Sequence, residues 1–443
     1  MTAYATLGRR GWTPQASQDL VARIAAETAA RSAAGTEAEI ERLALANRAT
    51  HEADCLNLNP ATNLMNPRAE RLLAMGLGHR PSLGPPGDKY EMGLEAIERI
   101  EIIAQQLAAG VFGATFVEYR VASGAMANLY AFMAAAKPGD AIIVPPAEIA
   151  GHVTHHTPGA AGLYGLAIHE ANADAGRFTL DLDALREQAR RVRPKLITVC
   201  GSLNLLPHPV RDIRAIADEV GALVLYDAAH MSGLIAGHAW QQPLAEGAHM
   251  MTMSTYKSLG GPAAGLVLTN EPALAERLDA IAYPGLTANF DVAKTAALAV
   301  TLLDWQEHGR AYAAAMVATA RVLAAALADA GLPVHGAAYG FTTSQSLAIE
   351  AARWGGGQAA AKRLRRANIL ASGIGLPIAP VEGDMNGLRL GTPEIVRAGL
   401  GPEHMPELAG LIVRALIGNE RPEAVGEAAT ALRRRFTGVR FVR

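Results

Sequence analysis

Apolar residues recur along this chain with two periods. Between about 90 and 270, stretches in which they return every three to four residues alternate with short runs that are apolar throughout. Glu91 to Phe112 is amphipathic and predicts a helix, as do Ser123 to Ala136, Leu180 to Val192 and Val210 to Val220. Thr115 to Glu118, Ala141 to Val144, Leu163 to Ile168, Leu196 to Val199, Ala222 to Tyr226, His249 to Met253 and Leu266 to Thr269 read as strands. Short apolar strands separated by helices predict an α/β fold with a mostly parallel sheet covered on both faces. Ligands in such sheets sit beyond the carboxyl ends of the strands, so polar residues just after strands carry the functional argument.

The flanks differ. Ser17 ahead of Gln18-Asp19-Leu20 is a helix N-cap signal, Leu20 and Ile24 share a face, and Thr36 to Asn47 repeats the pattern with Ile40, Leu43 and Leu45. Residues 1–55 therefore form a helical arm, which either crosses to a neighbouring subunit or packs on its own chain. Asp291 is the natural N-cap of an Ala/Leu-rich helix from Val292 to about His308. The tail holds helices at Ala311 to Ala330, Gly356 to Ala367, Pro402 to Ile417 and Ala424 to Phe436. This divides the rest into a large domain, 56–300, and a smaller C-terminal α/β domain, 301–443.

Composition narrows the classes. The 443 residues are half apolar, ample for a buried core, and 40 Lys+Arg against 42 Asp+Glu leave −2. A nucleic-acid-coating surface would want a basic surplus. No run of about 18 uncharged apolar residues predicts a membrane span. Arg9-Arg10 is not followed by the apolar stretch of a signal peptide. Cys55 and Cys200 make no disulfide framework and have no zinc-type spacing, so a reducing, cytoplasmic setting is expected.

The strongest chemical signal is Met253-Ser254-Thr255-Tyr256-Lys257-Ser258-Leu259-Gly260-Gly261-Pro262. A strand delivers a lysine into a Gly-rich turn, where desolvation makes its amine a nucleophile. Most lysines are merely solvated, and the spacing does not match a P-loop. Tyr226-Asp227-Ala228-Ala229-His230 places a carboxylate at a strand end, where a buried charge needs a cationic partner. A protonated pyridine nitrogen would be one, so Asp227 and Lys257 together point to pyridoxal 5'-phosphate (PLP). Ser123, Gly124 and Ala125 open a helix after a strand, a phosphate-type site. Gly151 to His156 clusters histidines; with no carboxylate at ligand spacing, ring stacking by His152 fits better than metal binding, against the plainer reading of a surface tract.

In order, Ser-Gly, His, Ser202, Asp-x-x-His and Thr-x-Lys-x-Leu-x-Gly-Pro resemble fold-type I PLP enzymes of the aspartate-aminotransferase-like architecture. More narrowly they resemble the serine hydroxymethyltransferase family. Gly387-Leu388-Arg389-Leu390-Gly391-Thr392-Pro393 is similar to its substrate-arginine motif, and Asn63 with Pro67-Arg68 to its N-terminal segment. The resemblance implies that Lys257 holds PLP, Asp227 pairs the ring nitrogen and His152 stacks on the ring. It further implies that Ser202 and His230 contact the ring hydroxyl region, that Ser123, Gly124, Ala125 and Ser254 serve the phosphate, and that Arg389 grips the substrate carboxylate. It also implies a homodimer or homotetramer.

The departures are specific. The family's Tyr-x-Glu pair falls on Pro81 and Leu83, its histidine before the lysine on Tyr256, and its arginine after Gly-Pro on Ala263. Two of its serines fall on Ala61 and Ala125, and its Gly-Gly phosphate contact from the neighbouring subunit on Ala288-Asn289. Without the Tyr-x-Glu pair tetrahydrofolate is a doubtful co-substrate. The expected activity is a folate-independent aldolase or transaldolase acting on β-hydroxy-α-amino acids of threonine or α-methylserine type. Its substrates are a small amino acid and an aldehyde, with no nucleic acid, membrane or metal. His152 and Glu91 are the candidate bases for the hydroxyl proton, and Tyr256 lies on the substrate side. The alternatives are folate-dependent serine/glycine hydroxymethyl transfer, transamination or decarboxylation, and a non-catalytic binding protein.

Overall fold

The computed structural model describes residues 7–418 and 420–443. The chain divides into two compact units, Met1–Cys55 and Leu56–Arg443. The first is helical: α1 spans Gln15–Ala30 and α2 spans Ala33–Ala49. α1 starts ahead of Ser17, because the Pro14 carbonyl accepts from the Ser17 and Gln18 N–H groups. Neither helix buries a residue within this unit, so Leu20, Ile24, Ile40, Leu43 and Leu45 are exposed.

The second unit is built on seven strands: β1 (Phe116–Val121), β2 (Ala141–Val144), β3 (Ala167–Glu170), β4 (Leu196–Val199), β5 (Leu223–Asp227), β6 (Met250–Ser254) and β7 (Gly265–Thr269). Their order is β1-β7-β6-β5-β4-β2-β3. The four pairings from β6 to β3 are parallel; β7 runs antiparallel to both neighbours. The central strands β4 to β7 are buried on both faces, and alternate side chains serve two different cores. Leu225, Leu196 and Val267 join Tyr130 and Phe132 on one side, while Val224, Tyr226, Ile197 and Leu268 join the main core on the other. A smaller sheet holds β8 (Ser346–Glu350), β9 (Ser372–Ile374) and β10 (Gly387–Gly391), in the order β8-β10-β9, all antiparallel.

The helices of this unit that bear on the site are α3 (Glu95–Phe112), α4 (Gly124–Ala135), α5 (Leu182–Val192), α6 (Val210–Val220), α7 (Val292–Asp329), α8 (Gly357–Arg366), α9 (Pro393–Ala398), α10 (Met405–Leu416) and α11 (Pro422–Arg434). Three readings of the sequence are corrected here. α3 begins at Glu95 rather than Glu91, since Gly93 at φ +81° ends the preceding loop. Leu163 belongs to a helical turn, Ala160–Leu163, and the strand starts only at Ala167, after Gly165 at φ +83°. The two helices read as 292–308 and 311–330 are one, α7. Gly309 does not break it; a Cβ on the neighbouring Gly237 would lie 2.4 Å from the Gly309 carbonyl, so the glycines serve close packing.

α7 has the predicted cap, Asp291 accepting from the Ala293 N–H at 3.1 Å. By length and hydropathy it could cross a membrane, a property shared with core helices of soluble proteins. Here Leu298, Leu302, Trp305, Tyr312, Met316 and Leu323 are buried in the main core. Each such burial stabilises by roughly 1.5–3 kcal/mol. The boundary drawn at 300/301 falls inside this helix.

Candidate active site

Most of the nominated residues follow the carboxyl ends of β1, β2, β4, β5 and β6, and Arg389 stands on β10 of the smaller sheet. β5 ends on Asp227, whose Oδ1 accepts from the Ala229 N–H at 3.0 Å and turns the chain toward His230. β6 ends on Ser254, and the loop after it closes on itself. Gly261 N–H donates to the Thr255 carbonyl at 2.7 Å, and Thr255 Oγ1 donates to the Pro262 carbonyl. Lys257 stands on this loop, 7% exposed, with Nζ 3.2 Å from His230 Nε2. Ser258 Oγ ties the loop to the carbonyl of His230 at 2.8 Å.

Burial sets the electrostatics. It pushes the Lys257 amine down to about 8, against the pull of Asp227 and with the help of Arg389. His152 is pushed down to about 4, by burial first and then by Lys257, His155 and Arg389, despite Asp227. His230 lies well below its ordinary value from burial, Lys257 and Arg389. Burial would raise Asp227, but the hydrogen bond and attraction of His155, with His152 and Asn128, hold it far below the usual carboxylate range. Each of these groups is thus perturbed by the charge of others in the set. Arg389, on β10, is lowered to about 10 by burial. Its guanidinium donates to the Ser202 carbonyl and to Ser372 Oγ at 3.0 Å.

Ser123, Gly124 and Ser254 lie together at the start of α4. Ser123 Oγ accepts from the Met126 N–H at 3.2 Å, and a Cβ on Gly124 would sit 2.1 Å from Ser254 Oγ. Ala125 is exposed on the first turn. Tyr256 is half-buried and makes no hydrogen bond among the described residues. Glu91 lies in the loop ahead of α3, half-buried, with Oε2 shielded and unpartnered, and no hydrogen bond or ion pair links it to Lys257.

The sequence reading missed the residues that hold Asp227. Its Oδ2 accepts from His155 Nε2 at 3.0 Å and Asn128 Nδ2 at 2.9 Å. Asn128 Nδ2 also meets Thr154 Oγ1 at 2.9 Å, and its Oδ1 accepts from Thr252 Oγ1 at 2.7 Å. His155 Nδ1 contacts Thr198 Oγ1 at 2.9 Å. The signal was present: Asn128 is polar in the otherwise apolar Ala127-Asn128-Leu129-Tyr130-Ala131-Phe132, and Thr198 and Thr252 interrupt apolar strands.

This set suits PLP. A desolvated primary amine, an ionised buried carboxylate, and a helix N-terminus where glycine leaves room are what an aldehyde, a ring nitrogen and a phosphate require. His230 Nδ1 is also buried without a partner. A cavity of about 670 Å³ lies elsewhere, beside edge strand β1, lined among others by Arg120 with its partners Glu118 and Asp279; Lys257, Asp227, His152, His230 and Arg389 are not among its lining residues.

A sequence model described as serine hydroxymethyltransferase matches residues 36–412. An alpha-methylserine aldolase of Variovorax paradoxus is 63% identical over 438 residues, 99% of each chain. A serine hydroxymethyltransferase of Methanopyrus kandleri is 37% identical over 389 residues, 87% of this chain and 91% of the other. Among solved structures, an L-threonine transaldolase from Pseudomonas fluorescens superposes with a TM-score of 0.83 at 22% identity, covering 92% and 94% of the two chains. That likeness establishes the fold.

Proposed function

The chain belongs to the serine hydroxymethyltransferase family, and from that premise we propose that it cleaves, and in reverse forms, the Cα–Cβ bond of β-hydroxy-α-amino acids with PLP, independently of folate. The observation that carries the reading is the buried Lys257 amine, 3.2 Å from His230 Nε2 on the loop after β6, with a buried, ionised Asp227 ending the adjacent strand β5. The alpha-methylserine aldolase relatives favour α-methylserine as the amino acid, and Leu83 in place of the family's glutamate favours folate independence.

Bound PLP supplies an electron sink for the pair left on Cα when the bond breaks. The protein's own groups do the rest. Lys257 holds the cofactor through its amine, and Asp227 keeps the ring nitrogen protonated. Ser123, Gly124, Ala125 and Ser254 would hold the phosphate at the start of α4, and Ser202 and His230 would serve the ring hydroxyl. Arg389 takes the substrate carboxylate in a two-pronged bond, a geometry lysine does not offer. His152 is neutral near pH 7, so it can stack on the ring and accept the β-hydroxyl proton whose loss drives aldehyde release. Glu91 is the second candidate for that proton and Tyr256 a substrate contact. On the same footing we propose a homodimer or homotetramer, a cytoplasmic setting, and the division of Leu56–Arg443 into a large cofactor domain and a small domain.

The test is aldehyde release from α-methyl-L-serine, L-threonine and L-serine, each with and without tetrahydrofolate. Release that ignores folate and is fastest on α-methyl-L-serine supports the proposal. Activity confined to L-serine and dependent on folate overturns it in favour of hydroxymethyl transfer. A visible band near ~420 nm on adding PLP, lost in Lys257→Ala, checks the cofactor separately.

A further inference from the structure

The three residues after Lys257 present consecutive carbonyls, and each accepts from a side chain of a different part of the chain, half-buried Asn63 and buried Trp305 and Arg397. Asn63 Nδ2 donates to Ser258 O at 3.3 Å, Trp305 Nε1 to Leu259 O at 2.8 Å, and Arg397 Nη1 to Gly260 O at 3.2 Å. Gly260 has φ +71°, and a Cβ there would lie 1.8 Å from Arg397 Nη1. The turn carrying the lysine is thus moulded on these three donors.

The donors converge on one ring. Asn63 Nδ2 donates to Tyr312 Oη at 2.9 Å, the Trp305 ring lies 5.3 Å from the Tyr312 ring, and the Arg397 guanidinium lies 5.4 Å from its centroid. Tyr312 is itself covered by Phe441, stacked at 5.0 Å and 18°. Phe441 holds φ +57°, a conformation that L-residues keep only where their surroundings impose it. Its neighbours anchor it to the same group. Arg440 N–H donates to the Arg397 carbonyl at 2.7 Å, and Arg443 N–H to Asp304 Oδ1 at 3.0 Å. Asp304 Oδ2 in turn pairs with Arg397 Nη2 at 3.3 Å.

We propose that Phe441 is a positioning residue for Lys257. Residues 440–443 form a strap that presses on Tyr312, and Tyr312 transmits this to the Asn63, Trp305 and Arg397 donors that shape the lysine turn. The inference rests on the reading of Lys257 as the cofactor lysine only for its consequence; the mechanical linkage stands apart from it.

The experiment is hydrogen exchange on the PLP-saturated protein. It follows the Gly260 N–H, bonded to the Lys257 carbonyl, and the Gly261 N–H, bonded to the Thr255 carbonyl. Phe441→Ala is expected to speed both by about three- to tenfold while amides of β4 and β5 keep their rates. The pH midpoint of the visible band is expected to move in the same variant, and Phe441→Tyr to restore both readouts. Should Phe441→Ala not fold, Phe441→Leu keeps the bulk without the flat ring and carries the same expectation. Unchanged turn amides, or a rise shared equally with β4 and β5, overturn the proposal. Absence of a visible band in the parent protein removes the cofactor reading and leaves the exchange comparison to decide the strap.

Discussion

Replacing Asp227 by Asn is the most informative single change, because it alters charge without altering shape. The carboxylate faces three donors: His155 Nε2 at 3.0 Å, Asn128 Nδ2 at 2.9 Å and the Ala229 N–H at 3.0 Å. An amide has one oxygen, so in either orientation its NH₂ points at a donor. A buried donor left facing another costs about 1–3 kcal/mol of stability. The second loss is the counter-charge for the cofactor ring. A hydrogen bond to a charged group contributes about 1.5–3 kcal/mol, so PLP should bind about 10- to 100-fold more weakly. A third effect has a definite sign. Asp227 raises the Lys257 amine, so its neutralisation lowers that amine further below about 8. The assay is a PLP titration of the visible band between pH 6 and 10, with thermal unfolding alongside and Asp227→Glu as the charge-retaining control. Affinity within about twofold of the parent, with an unmoved pH midpoint, would refute the assignment of Asp227 as the ring-nitrogen partner.

Other consequences can be measured directly. Arg389→Lys loses the planar fork, and KM for the amino acid should rise by about 10- to 100-fold with a smaller effect on PLP affinity; steady-state kinetics decide this. Gly124→Ala forces a Cβ against Ser254 Oγ and should lower stability by about 1–3 kcal/mol. Adding Ser254→Ala should recover part of that in denaturant unfolding. His208 is buried and pushed down to about 4 by burial, with Thr179 and Asn204 on its two nitrogens at 2.8 Å each. The unfolded chain binds its proton near pH 6.5 and the folded chain does not, so stability should fall as pH drops from about 6.5 to 4, by on the order of 3 kcal/mol from this group. His208→Gln should flatten that slope in melts recorded across the window; an unchanged slope counts against it.

The fold was largely legible because it rests on local period. The strands Ala141–Val144 and Leu196–Val199 and the helix Val210–Val220 lie where the sequence puts them, since an apolar run bounded by turns has few other uses. The order of motifs likewise nominated the lysine, the aspartate and the arginine: Asp227 ends β5 and Lys257 follows β6, at the edge where such sheets bind ligands, whereas Arg389 stands within β10 of the smaller sheet. Where the period was ambiguous, context prevailed. Gly309 looks like a helix break until Gly237 is seen against it, and Leu163 looks like strand until the glycines around it turn the chain.

The sequence by itself nominated the groups proposed to carry the chemistry; the tertiary structure decided their state and their company. Nothing local shows that Lys257 is desolvated, since its burial depends on His230, Arg389 and the sheet edge coming together. Nothing local links Asn128 and His155 to Asp227, which lie 99 and 72 residues away. Glu91 shows the converse, a carboxylate nominated from the sequence that no hydrogen bond or ion pair among the described residues ties to the lysine. Pattern reads the short-range part of the energy, while a pKa or a hydrogen-bond partner is set by whichever distant segments exclude water from the same point.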